Sequence, residues 1–291
     1  MARLQSAMEY LMTYGWAILA IAIVMVSLYS LGIFNAGSLQ PTATPGSCEV
    51  VRTAAQTSLA GQCNGLIPKY VGKFNGQGGY IDAGSSSSMT VSSSLTVSIW
   101  ISPGNFVPRQ MFVERWYTGT GSVFSVELEN SLIHFYGSTD GTYNGGCPDL
   151  NVNASLPLNT FHSIIFVFDG GVRGIYIDGV LKGSSSSCGS TLYHGSSQDN
   201  LRIGGMTSGS YANVNGSMAN VQVYNTSLDA STIKSLYQEG IGGVPIDIQH
   251  LVGWWPLNGN ANDYSGNNNQ GTPTSVVWNA NWQSGYTAPT S

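Results

Sequence analysis

The stretch HSIIFVFDGGVRGIYIDGVLKG, His162–Gly183, carries the reading of the fold. Its opening, HSIIFVFDG, is a near-continuous apolar strand. Asp178-Gly179 then sits between two apolar runs, the dipeptide that a type I′ hairpin turn favours because both central residues take positive φ. Working outward, LTVSIWI (95–101) alternates Leu95, Val97, Ile99 and Ile101 with its neighbours. SVFSVELEN (122–130) places Phe124, Val126 and Leu128 on one face, and VQVYN (221–225) is a further strand. DASTIKSLYQEG (229–240) alone reads as a helix, with Asp229 as N-cap and Gly240 as terminator. Many short strands joined by polar turns predict a mainly β chain, a β-sandwich.

Composition narrows the function. Charged residues make up 9% of the 291, against about 25% in ordinary soluble domains. Net charge is −5, and the 10 Lys plus Arg are scattered, so no basic patch exists for a phosphate backbone and nucleic acid is not an expected partner. The 37 glycines follow no fixed period, which excludes collagen. The cysteines Cys48, Cys63, Cys147 and Cys188 show no zinc spacing. On an exported chain they read as two disulfides with three possible connectivities. Sequence order favours Cys48–Cys63, and loop context favours Cys147–Cys188.

The N-terminus has a different character. Residues 11–34, LMTYGWAILAIAIVMVSLYSLGIF, carry no charge, and a helix needs about 20 apolar residues to span a bilayer. Arg3 precedes the run and no basic residue follows until Arg52, which points residues 1–4 to the cytoplasm and the rest outward. A cleaved secretory signal, a plain signal anchor and a pilin-type leader compete for this segment. QSAMEYLMTYGWAILAI resembles the class III signal peptides of archaeal type IV pilin-like proteins. That resemblance implies cleavage by a prepilin peptidase between Leu4 and Gln5, and retention of residues 5–34 as a long hydrophobic filament helix. It also implies a bond from Glu9 to the new α-amine of a neighbouring copy. Leu4 departs from the Gly or Ala that commonly precedes the cut. The implied location is the cytoplasmic membrane before assembly, then an extracellular filament at the cell surface. NAGSLQPTATPG, Asn35–Gly46, reads as linker, and the linker region as a whole as residues 35–64.

Residues 65–291 carry a second resemblance. YVGKFNGQGGYIDAG, LTVSIWI, FVFDGGVRGIYIDGVLKG and GSMANVQVYNTSLDASTIKSLYQEG follow one another as in a laminin-G-like, concanavalin A-type jelly roll. In that family a segment like LVGWWPLNGNANDYSGNNNQGT opens the domain, whereas here it closes the chain at Leu251–Thr272. Either residues 251–282 supply a permuted first strand to their own domain, which the usual closeness of domain termini favours, or they are donated to a neighbouring subunit. The resemblance implies possible binding of calcium, for which Asp263 offers oxygens, and of glycans or cell-surface proteins.

No catalytic constellation emerges. Glu127 and Glu129 share one face of a strand but lack the third acid and central aspartate of the family's glucanase motif, so they read as solvent-facing acids. His134, His162, His194 and His250 have no metal spacing, and His162 reads as a hydrogen-bonded structural residue. Asn153, Asn215 and Asn225 begin N-x-S/T sequons, with Asn225 poorly placed at a strand end. A non-enzymatic filament subunit that displays an adhesive jelly roll is the first functional expectation. A membrane-anchored binding module that does not polymerise is the second.

Overall fold

The structure is a computed structural model that describes residues 14–27 and 48–290, apart from 55, 64–66, 107–108, 117–120, 144, 195–199 and 207–211. The chain divides into two units, Met1–Thr44 and Pro45–Ser291. In the first, residues 14–27 form α1. At 1.5 Å per residue this helix is about 21 Å long, short of the roughly 30 Å of hydrocarbon in a bilayer. Among the described residues no helix is long and apolar enough to cross a membrane. That overturns the expected location, in which residues 11–34 hold the chain in the cytoplasmic membrane before it joins a surface filament. The hydropathy of the run counted apolar letters, but the described helix covers fewer residues than a span requires. Leu4, Gln5 and Glu9 lie outside the described residues.

The second unit begins with a hairpin where a linker was expected. Strands β1 (Glu49–Arg52) and β2 (Thr57–Ala60) pair antiparallel, and Cys48 and Cys63 are bonded across its base with Cα atoms 4.8 Å apart. The hairpin is tied to the body: Val50 N donates to Tyr264 O at 2.8 Å. Arg52 donates to the carbonyls of Ser265, Ile248 and Leu251.

The body continues with β3 (Val71–Asn75), β4 (Tyr80–Asp82), β5 (Ser94–Pro103), β6 (Gln110–Arg115), β7 (Phe124–Glu129), β8 (Leu132–Gly137) and β9 (Leu150–Asn153). Next come β10 (His162–Asp169), β11 (Val172–Ile177), β12 (Val180–Ser185), β13 (Arg202–Ile203) and β14 (Asn215–Tyr224), then helix α2 (Ala230–Gln238). The chain closes with β15 (Leu251–Trp255), β16 (Thr272–Thr274) and β17 (Val277–Asn279). A larger sheet has the order β12-β11-β10-β5-β14-β3-β17, with β15 also paired to β14. A smaller sheet has the order β16-β4-β13-β6-β7-β8-β9. The result is a mainly β, concanavalin A-like sandwich.

Local chemistry accounts for the elements. Asp178 and Gly179 sit at φ 50° and 75°, the type I′ geometry that joins β11 to β12. Asp229 caps α2 by accepting from Thr232 N at 2.8 Å, and Gly240 ends it at φ 79°. Between the sheets, the alternate side chains of both inner faces form one buried cluster, including Phe74, Ile99, Phe124, Phe135, Phe166 and Trp255. In β6 the register shifts between Met111 and Val113, and Phe112 and Val113 both enter this core. Such a bulge re-aims the side chains on either side of it.

The closing segment pairs within its own chain. β15 lies beside β14 with Val221 opposite Trp255, β16 pairs β4 and β17 pairs β3. A single passage of chain therefore adds an edge strand to each sheet as well as a strand beside β14. Cys147 and Cys188 form the second disulfide, with Cα atoms 4.1 Å apart.

Candidate polar binding face

Each sheet has an outer face, and the two differ in kind. On the larger sheet, Trp100 of β5 is buried against Tyr237 of α2, with ring centroids 5.9 Å apart, and against Tyr286 at 5.5 Å. Phe161, Ile241 and Trp282 complete that cluster. Beside it, Ile165, Val167 and Tyr224 pack with Ile233 and Leu236 of α2 and with Cys48 and Val50 of the hairpin. This face is sealed by apolar burial.

The outer face of the smaller sheet is a lattice of charges. Cross-strand register sets Asp82 beside Arg202, Arg202 beside Glu114, Glu114 beside Ser125, and Ser125 beside Tyr136. Arg202 lies 3.4 Å from a Glu114 oxygen and 3.9 Å from Asp82. Glu114 also accepts from Trp116 N at 2.6 Å. A parallel row runs Met111, Glu127, His134, Asn151.

Glu127 is completely buried, which corrects its reading as a solvent-facing acid. Arg109 Nε donates to both of its oxygens, at 2.8 and 2.9 Å, and Ser125 Oγ donates to one of them at 3.2 Å. Burial pushes the Glu127 carboxyl above its ordinary range, and the adjacent Arg109 charge opposes that shift. His134 is held at Nδ1 by Asp149 at 2.9 Å, and Asn151 steadies the same carboxylate oxygen. Against a carboxylate, Nδ1 is the donor. The Tyr136 ring lies parallel to His134 at 5.5 Å, and the Arg109 guanidinium sits 5.5 Å above Tyr136. Burial and the nearby Asp149 and Glu127 charges raise the Tyr136 hydroxyl well above its usual value. Arg109 Nη2 and His134 Nε2 are buried with no hydrogen-bond partner among the described residues. Toward solvent, Tyr143 is 50% exposed and meets the edge of Trp116 at 5.8 Å.

A laminin G-type family model, described as the concanavalin A-like lectin/glucanases superfamily, matches residues 75–234, more than half of the chain. The chain belongs to this superfamily. Among solved structures, one similar to it is a proposed carbohydrate binding protein from Bacteroides ovatus ATCC 8483, at TM-score 0.58 and 19% identity. That match covers 79% of this chain and 65% of the other, so the chain spans less than two thirds of its length. A heptameric SAP-like pentraxin from Limulus polyphemus matches at TM-score 0.46 and 13% identity, over 60% of this chain and 83% of that one. A sialyllactose-bound CBM40 from Ruminococcus gnavus matches at TM-score 0.47 and 15% identity, over 57% and 96% respectively. No curated protein sequence matches the chain.

Set on this superfamily fold, the residues expected from sequence to bear function are dispersed. Asp263, the calcium candidate, has both oxygens engaged by the protein. Trp254 N and Ser265 N donate to one at 3.0 and 2.8 Å. Ser265 Oγ and Asn269 N donate to the other at 2.9 and 2.8 Å. A calcium site needs six to eight oxygens, and among the described residues no group of His, Cys, Asp and Glu is placed to hold a metal. Asp263 fits a structural role, holding its turn through these four hydrogen bonds.

Trp254 and Trp255 are both buried, on opposite sides of β15, and neither is presented to a sugar ring. A cleft of about 190 Å³ lies beside Trp254, but the Asn220 amide there is occupied by Trp254, Gln222 and Gly243. His162 is held by Asp178 at 2.8 Å and His250 by Asp247 at 2.7 Å. Of the sequons, Asn153 and Asn225 are exposed and Asn215 is half-buried in β14. Asn225 is thus more accessible than its position at a strand end suggested. Sequence reasoning missed Arg109, Asp149 and Arg202, whose partners are set by strand register and loop placement. Its one usable signal was the parity that put Glu127 on the outer face.

Proposed function

We propose that the chain is a glycan-binding module and that its ligand face is the outer face of the smaller sheet. The contrast between the two outer faces carries this reading: one is sealed by α2 and the hairpin, while the other, buried at its centre, keeps partly exposed polar and aromatic groups at its margins, among them Arg109, Asp149, Asp82 and Tyr143. Membership of a lectin and glucanase superfamily and the fold shared with a proposed carbohydrate binding protein support it. Binding without hydrolysis fits Glu127, because a carboxylate clasped by Arg109 through two bonds is poorly placed to give up a proton as a general acid. The test is a screen of the full-length chain against immobilised neutral and acidic oligosaccharides, with release of reducing ends measured in parallel. Saturable binding without release supports the module. Failure to bind any glycan between pH 5 and 8 overturns it.

A second reading keeps the N-terminal pattern: a filament subunit cut between Leu4 and Gln5, with Glu9 bonded to a neighbouring copy. It is supported by the apolar side chains that α1 exposes, Trp16 at 71% and Ile18 at 66% among them, since a helix apolar all round is normally covered by a partner. The N-terminal mass of the protein recovered from its native cells tests it. A chain that begins at Met1 removes it.

A further inference from the structure

We infer that the sugar seat on this face is the groove between β4 and β16, and that it takes an uncharged pyranose unit and rejects acidic ones. This inference rests on the glycan-binding reading.

The groove follows from strand parity. Thr272 lies opposite Asp82, Pro273 opposite Ile81, and Thr274 opposite Tyr80. Ile81 is fully buried in the core, so Tyr80 and Asp82 point away from it. Thr272 and Thr274, exposed on β16, share their side of the sheet. Gly84 and Gln270 complete a cavity of about 330 Å³, within the size range of small-molecule sites. A Cβ at Gly84 would enter open space, and its φ of +77° disfavours any other residue.

The chemistry of the lining selects the ligand. Its polar groups are the hydroxyls of Tyr80, Thr272 and Thr274, the Gln270 amide and the Asp82 carboxylate. Asp82 is oriented in advance: Gly84 N donates to it at 2.8 Å, and Asn200 Nδ2 bridges its two oxygens at 2.9 and 3.0 Å. Its side chain remains 27% exposed, with Arg202 on its inner side. A fixed, partly exposed carboxylate accepts hydrogen bonds from sugar hydroxyls and repels a ligand carboxylate or sulfate. Among the described residues no Lys or Arg lines the groove to compensate a negative ligand. The Tyr80 ring supplies the apolar flank that such sites combine with a few placed polar groups.

Half of the lining, Gln270, Thr272 and Thr274, belongs to the closing segment. The Gln270 side-chain Oε1 accepts from Asp263 N at 3.1 Å, which ties the groove to the Asp263 turn. Displaced sequence order and binding site are thereby one feature: the strand that closes the smaller sheet also builds the seat.

The experiment uses the full chain on an array of neutral gluco-, galacto- and manno-configured oligosaccharides beside sialylated, uronate-bearing and sulfated ones, followed by calorimetric titration of the strongest hit. The variants are Tyr80→Ala and the double change Thr272→Val with Thr274→Val, which removes hydroxyls at nearly constant shape. Val180→Thr on the far edge of the larger sheet is the control. Neutral glycans are expected to bind, with at least a tenfold loss in both groove variants, an unchanged Tm for the double valine variant and no change in the control. Neutral binding untouched by the groove variants overturns the location. Binding of acidic glycans alone overturns the selectivity and leaves the glycan-binding reading intact. Binding of no glycan overturns that reading itself.

Discussion

The outer faces of the two sheets are built by the same period-two alternation and come to opposite ends. On the larger sheet, the outward residues of β10 and β5 include Ile165, Val167 and Trp100, and α2 and the hairpin cover them. On the smaller sheet, the outward residues of β7 and β8 are Ser125, Glu127, His134 and Tyr136, stitched by cross-strand charges. An apolar outer row must recruit a covering layer, because exposed hydrocarbon costs free energy in proportion to its area. A polar outer row satisfies itself by lateral pairing; here Ser125 and Glu127 are fully buried and His134 nearly so, and the partly exposed charges, Asp82 and Asp149, stand at the margins. The kind of group each outer face presents therefore follows from the parity of a few strands.

Four changes break or sharpen this contrast. Trp100→Ala strikes the sealed face and has the largest expected effect. It empties the space between Tyr237 and Tyr286 and costs about 3–5 kcal/mol in chemical denaturation, while glycan affinity of the folded protein stays unchanged. Lost affinity at full folding would show that the two faces are not independent. Arg109→Met strikes the polar face by leaving the Glu127 carboxylate buried without its cation, at a cost of about 2–3 kcal/mol since Arg109 is partly exposed. The double variant Arg109→Met with Glu127→Leu is expected to recover most of that loss, and a double variant as unstable as the single one would show that packing, not charge, governs this face.

Asp263→Asn removes the charge that gathers Trp254, Ser265 and Asn269 donors and costs about 1–3 kcal/mol. Because those oxygens are already engaged, millimolar calcium is expected to leave the Tm of the wild-type chain unmoved, and a clear rise would return Asp263 to the list of metal ligands. The smallest effect is at Asp229 on the cap of α2. The Ser231 hydroxyl and the Thr232 amide hold its carboxyl below the usual range, so its stabilisation is present above the unfolded carboxylate value and fades as pH falls through the folded one. Asp229→Ala should lower Tm slightly at pH 7, and that difference should vanish in acid. A difference that persists there would assign the loss to packing of α2 over the sealed face.

Legibility in the sequence tracked distance along the chain. Asp178-Gly179 and the Asp229 cap were readable because each works on its own backbone within a few residues. The jelly roll was readable because alternating runs in a fixed order repeat a known arrangement. Glu127 was misread although its face was right: nothing local announces that Arg109 will fold back onto it. The structural role of Asp263 was hidden for the same reason, since nothing local announces that the chain will aim its own Trp254, Ser265 and Asn269 amides at it. Residues 11–34 were read by their letters as a span, whereas the helix described within them is shorter than a bilayer.

By itself the sequence determined the alternation, the turns, the helix cap and the sandwich class, since backbone preference and side-chain parity act between near neighbours. Only the tertiary structure decided which outer face is sealed, which carboxylates are buried with partners, and that Thr272 and Thr274 stand opposite Asp82 and Tyr80. These outcomes depend on register between strands far apart in the chain, where a slip of one residue moves every side chain to the other face.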